Sequence, residues 1–109
     1  MKNYKFILLL LPLMLFLSKA QIWIAADIAT NADGAYSVFA ADMDKDGDMD
    51  IVSASSNDNT IAWYENDGTS DPTWTAANID TNAGGARSVY VADMDGDGSM
   101  DIVEFIATK

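Results

Sequence analysis

The feature that most constrains this chain is that it repeats itself. Offset by 51 positions, residues 23–52 and 74–103 are identical at 21 of 30 positions. The matches include Trp23 with Trp74, Thr30-Asn31-Ala32 with Thr81-Asn82-Ala83, Gly34-Ala35 with Gly85-Ala86, and Ser37-Val38 with Ser88-Val89. A period of this size belongs to solenoids, propellers and arrays, whose units bury their apolar faces only against one another. About three or more units are needed before such a stack is stable.

The apolar pattern within a unit is that of strands. Residues 36–40 and 88–91 are β-branched and aromatic runs leading into acidic loops, and 50–54 and 101–106 lead out of them. Residues 60–65 follow a turn-rich stretch at 56–59, and 74–79 follow Asn66-Asp67-Gly68 and Asp71-Pro72. No ten-residue window sustains a 3.6-residue apolar period. The expected fold is all-β, with four short antiparallel strands per unit, the content of one β-propeller blade. Residues 22–28 are then the last strand of one blade, 36–80 a complete blade, and 87–109 the first two strands of the next. One complete blade plus parts of two others leaves sheet edges unpaired. Further blades of a longer propeller are the first expectation for what covers them, and self-association the second.

Residues 1–20 are expected to be removed before folding. Two lysines in residues 1–5 precede an apolar run of twelve residues at 6–17, and Ser18-Lys19-Ala20 places small residues at the −3 and −1 positions. This is the layout of a secretory signal peptide, with cleavage after Ala20 and a secreted or cell-surface product at 21–109. A membrane anchor fits less well, because a span needs about 20 apolar residues and Pro12 interrupts the run. No Cys stands at the mature start to carry a lipid, and no membrane insertion is expected after cleavage.

Cleavage leaves Lys45, Arg87 and Lys109 against seventeen acidic residues. Such a surface repels nucleic acid and anionic lipid and attracts cations. There is no Cys and no His, so disulfides, the commonest general base and the commonest transition-metal ligand are all missing.

Nine of the seventeen acids lie in two loops. The first reads Asp42-Met43-Asp44-Lys45-Asp46-Gly47-Asp48-Met49-Asp50, and the second Asp93-Met94-Asp95-Gly96-Asp97-Gly98-Ser99-Met100-Asp101. Both fit D-x-D-x-D-G-x-x-D. Carboxylates at positions 1, 3 and 5 of a curled loop converge, Gly at position 6 permits the reversal, position 7 supplies a carbonyl oxygen, and position 9 closes the shell. Hard oxygen ligands in this number suit Ca²⁺, one ion per loop, better than the stricter octahedron of Mg²⁺. An ion-free acidic turn would have to stay open, because like charges held close repel. Glu104 stands at position 12 of the second loop, as in an EF-hand, whereas the first loop has Ser53 there. Strands, not helices, flank both loops, and a strand-loop-strand site explains both copies.

The D-x-D-x-D-G-x-x-D loops, the Ile-Val strand after each, and Trp63-Tyr64-Glu65-Asn66 together resemble the FG-GAP/VCBS repeat family. These repeats build the seven-bladed propeller of integrin α-subunit heads and of many secreted bacterial proteins. The resemblance implies Asp42, Asp44, Asp46 and Asp50 as side-chain ligands of one Ca²⁺, with the carbonyl of Asp48. It implies Asp93, Asp95, Asp97 and Asp101 for the second, with the carbonyl of Ser99. The FG-GAP dipeptides are represented only by Asp33-Gly34-Ala35 and Gly84-Gly85-Ala86, which favours the bacterial secreted type.

Trp23, Trp63 and Trp74 with Tyr36, Tyr64 and Tyr90 could form a sugar platform, but strand aromatics more often pack between sheets. Met49 and Met100, at the eighth loop position, are expected in the core. The carboxylates are committed to the loops and Glu65 has no acidic partner, so no enzymatic activity is expected. The sequence reads as a calcium-binding repeat segment for adhesion or for binding an extracellular protein or glycan. A lectin-like module and an accessory domain of a secreted polysaccharide-degrading enzyme are the alternatives.

Overall fold

The computed structural model describes residues 25–107; the expected leader at 1–20, and Trp23, lie outside them. Six strands are formed, β1 (Ala35–Ala41), β2 (Asp50–Ser55), β3 (Thr60–Asn66), β4 (Trp74–Asp80), β5 (Ala86–Ala92) and β6 (Asp101–Ile106). Strands β1 to β4 make one sheet in chain order and β5–β6 a second, with every pairing antiparallel. No helix occurs among the described residues, and the all-β, four-stranded expectation holds.

One expected strand is not formed where it can be followed. Residues 25–28 of the segment 22–28 carry no strand, and 22–24 lie outside the described residues. A strand exists by virtue of the ladder to its neighbour, and none of the described strands pairs with this segment. Instead Ala26, Asp27, Ile28 and Ala29 lie against the first sheet, lining with Val38, Ile51, Ser53 and Tyr64 an open hollow of about 210 Å³.

Alternation along the strands gives each sheet two different faces. Val52 stands opposite Phe39 on β1 and Trp63 on β3, and Ala54 opposite Ile61, so these side chains share one face. That face meets Val89 and Val91 of the second sheet, with Ala83 and Ala86, in a single core. Val52 and Ile61 are fully buried there, and each aliphatic side chain so placed contributes about 1.5–3 kcal/mol. Trp63 packs against the same cluster, the structural role expected for a strand aromatic. Met100 also packs on this core, but Met49 does not: it is exposed, and Met43 packs instead. Both eighth-position methionines precede an aspartate that opens a strand, so both point to the face opposite it. Only in the second sheet is that face covered.

The sheets are also joined through matching residues of the two repeats. The Phe39 and Tyr90 rings, 51 positions apart, meet edge to face at 5.0 Å. The Arg87 guanidinium lies 5.5 Å over the Tyr36 ring, and these residues interrupt the ladder at equivalent places in β1 and β5. The Val89 N–H donates to Ser37 Oγ at 3.4 Å. Asn59, at the β2–β3 turn, accepts from the Ala83 N–H on its carbonyl (2.9 Å) and from the Gly85 N–H on its side chain (3.3 Å). The repeated Gly-Ala pair has a local cause. Gly34 and Gly85 both adopt a left-handed φ near +70°, and a β-carbon on Gly85 would meet the Ala107 carbonyl at 3.0 Å.

Replacing Ile61 by Ala should cost about 3 kcal/mol, from lost burial and the void left behind. Replacing Ile79, which is half exposed, should cost under about 0.5 kcal/mol. Urea unfolding of the two variants, compared at equal m-value, checks the assignment of the core.

Candidate metal centre

Each acidic loop is the connection between the first two strands of a sheet, 42–49 between β1 and β2 and 93–100 between β5 and β6. Both curl by the same local bonds. Asp42 Oδ2 accepts from the Gly47 N–H at 3.0 Å, Asp44 Oδ1 from Asp46 at 3.2 Å, and Asp46 Oδ1 from Asp48 at 2.9 Å. Fifty-one positions on, Asp93 Oδ2 accepts from Gly98 at 2.9 Å, Asp95 Oδ1 from Asp97 at 3.0 Å, and Asp97 Oδ1 from Ser99 at 2.7 Å. Aspartate bonding two residues ahead is the Asx turn, and two in succession, spanned by the longer bond from the first aspartate to the N–H five residues on, wind the backbone tightly. The reversal needs left-handed backbone at the fourth and sixth positions, Lys45 (φ 67°) and Gly47 (98°) in one loop, Gly96 (77°) and Gly98 (90°) in the other. Lys45 is the one of these four residues with a side chain, where left-handed backbone is sterically costly. Its ammonium group reaches the second loop, within 3.2 Å of where a Gly98 β-carbon would lie.

The winding gathers carboxylates. Oxygens of Asp42, Asp44 and Asp50 lie within 4.8 Å of one another, and so do those of Asp93, Asp95 and Asp101. Asp46 and Asp97 stand outside these triads, each engaged by the N–H two residues on. Asp48 and Ser99 donate those N–H groups. Glu104 is not drawn in: it lies on β6, paired with Val89 of β5, on the face opposite Asp101. Burial, and then the charge of Asp80, push the Glu104 carboxyl above its ordinary value.

Asp50 anchors the first triad. It is fully buried, and its oxygens accept from the Met43 N–H at 3.0 Å and the Asn66 N–H at 2.9 Å. The Asn66 side chain also donates to the Met49 carbonyl at 3.1 Å, so the end of β3 clasps the end of the loop. Asp101 has the corresponding bond from Met94 at 2.9 Å but lies half exposed. Sequence reasoning placed Asn66 in a family motif and a turn without giving it this task. Its position at the end of a strand, directly before the Asp-Gly turn, was the available signal.

Charge is imperfectly balanced within the loops. Partial desolvation, and then the carboxylates of Asp46 and Asp50, raise the Asp44 carboxyl above its ordinary value against one backbone bond from Asp46. The Ser99 N–H, then its hydroxyl, and also Lys45 lower that of Asp97. Asp42 Oδ1 is shielded from solvent and has no hydrogen-bond partner among the described residues. A buried, bare carboxylate oxygen at the mouth of a three-carboxylate cluster is the donor arrangement that a hard cation completes.

The two loops and the repeated antiparallel sheets define a β-rich repeat protein with acidic hairpin loops. The model of the FG-GAP-like repeat family matches residues 42–104, more than half of the chain. The chain belongs to that family. Neither the curated proteins nor the solved structures contain a match to it.

Beside the first loop, the 67–73 turn is closed by Asp67, whose carboxylate accepts from the Thr73 hydroxyl, the Thr69 N–H and the Thr69 hydroxyl. These bonds hold its pKa down at about 2, against an ordinary 3.8. The folded form then binds its proton later than the unfolded form. The stabilisation is present above pH 3.8 and is lost as pH falls through about 2. Thr73→Val removes the largest contribution and should move Asp67 upward, though not fully to 3.8 because Thr69 remains. Carboxyl-carbon NMR titration reads the shift directly.

Proposed function

We propose that this chain is a secreted, calcium-stabilised segment of a β-propeller-type array with a non-catalytic role in adhesion or in binding an extracellular protein or glycan. One observation carries the calcium reading: the same wound loop occurs twice, each time converging three carboxylates on one point. The family membership and the bare Asp42 Oδ1 support it. Asp42, Asp44 and Asp50 would hold one ion and Asp93, Asp95 and Asp101 the other. Asp46, Asp97 and the carbonyls of Asp48 and Ser99 stand close in sequence to complete each shell. The ion would neutralise charge that otherwise pushes the loop open. The chain's own residues do the rest: the Asx turns fix the curl, and Asp50 ties the loop to the core.

The role is structural, because each loop joins paired strands and its closing aspartate starts a strand. Extracellular modules of this kind need only weak sites, on the order of 10⁻⁴–10⁻³ M.

Calorimetric titration of the full chain with Ca²⁺ should give two sites and a chelator-sensitive melting temperature. Absence of both heat and melting shift would end the calcium reading. The two sites should also differ. Asn66→Ala should weaken the first by about fivefold to tenfold, the loss of roughly one hydrogen bond's preorganisation, and leave the second unchanged. Asp50→Asn should abolish the first site alone. Equal weakening of both sites in the Asn66 variant would contradict the clasp.

A further inference from the structure

Along β1 and β5 the interface between the two sheets brings residues of one repeat against their counterparts, or the neighbours of these, in the next. Phe39 meets Tyr90, Tyr36 meets Arg87, and Ser37 accepts from the N–H of Val89, the counterpart of Val38. Such a head-to-tail contact pairs two different surfaces, not one surface with itself. It leaves a donor face at one end of the chain and an acceptor face at the other.

Both faces are on the surface. Val89 is 4 % exposed where it meets the first sheet, but its counterpart Val38 is 64 % exposed. Val52 is fully buried against the second sheet, while its counterpart Val103 is 44 % exposed and the neighbouring Phe105 is 65 % exposed. Tyr90, Val103 and Phe105 share one face of the second sheet, because Tyr90 pairs with Val103, and Phe105 lies two residues further along β6. Apolar side chains gathered in this way mark an interaction site.

The acceptor end holds a matching hollow. The hollow under residues 26–29 is lined by Val38, Ile51 and Ser53, the counterparts of Val89, Ile102 and Glu104. Those three lie on the face of the second sheet that packs against the first sheet, where Ala54 is buried. Phe105 is the counterpart of Ala54. The repeat operation therefore carries Phe105 onto the hollow. The change from Ala to Phe on the donor is matched by more room on the acceptor, where Ala40 replaces Val91.

We propose that a second copy of this chain docks head to tail on the first, with Phe105 of one copy seated in the hollow beside Val38 of the next. The contact continues the interface between the two sheets, using the same residue positions in the same order. Because each copy keeps one free face of each kind, assembly proceeds past the dimer, to open chains or closed rings. The high acidic charge of each copy opposes it, so screening by salt favours assembly.

Sedimentation velocity of the full chain over a concentration series tests this, with and without added salt. The expected result is reversible association beyond the dimer that strengthens with salt. Phe105→Asp and Val38→Asp should each weaken it by about tenfold or more, since a charge would be buried without a partner. Circular dichroism should keep its strand signal in both, because both side chains are largely exposed, and Phe105→Thr, compatible with a strand, repeats the test. Mixed together, the two Asp variants should form a one-to-one dimer and stop, because each retains the face that the other lacks. A chain that stays monomeric throughout would assign the faces to other repeats or to a different protein and overturn the proposal. So would association that both variants leave intact, or a mixture that forms no dimer. Repeating the series with chelator separates this outcome from failure of the calcium reading, which would show as a melting temperature that chelator does not move, with association judged independently by sedimentation.

Discussion

The carboxylate of Asp50 belongs to two structures at once. It is fully buried on the packing face of β2, in line with Val52 and Ala54, and it closes the first acidic loop. Burying a carboxylate is costly unless its oxygens are bonded. Here the bonds come from Met43, at the loop's start, and Asn66, at the end of β3. The loop cannot open without exposing the core, and β3 cannot leave the sheet without stripping a buried charge. The remainder of the first sheet is organised around that dependence: strand order, the position of the Asp-Gly turn after β3, and the inward side of the alternation.

The second loop shows the same winding with less support. Its Asx turns and left-handed positions are those of the first. Its closing aspartate, however, has no described third strand behind it and lies half exposed. Loop geometry is therefore a local property of nine residues, whereas the rigidity of the site comes from the sheet. This separates what the repeated sequence encodes directly from what depends on neighbours.

The same distinction decides how much was legible in the sequence. All six strands begin and end within two residues of the alternating runs, because period-two patterning and Asn, Asp and Gly turns are local signals. Positions 1, 3 and 9 of each acidic cluster were legible from spacing, but Asp46 and Asp97 at position 5 were expected beside them and instead accept the N–H two residues on. The segment 25–28 was misread because a strand needs a partner, and its sequence resembles residues 76–79, which have one in β3. Met49 was misplaced for the same reason: its direction was right, but the face it points to is covered only in the other sheet. Asn66 was missed because its function is set by a bond to a residue sixteen positions away.

Asn59 links these levels in a different way. It lies in the β2–β3 turn of one unit, yet both of its bonds reach the segment that leads into the next. The folding unit is consequently out of phase with the stretch of sequence that repeats, and its border falls inside the motif rather than between copies. Gain or loss of units during evolution would preserve this clasp only in whole multiples of the period. Any other breakpoint would separate a turn from the connection it secures, so the fold itself ties the copies to a fixed spacing.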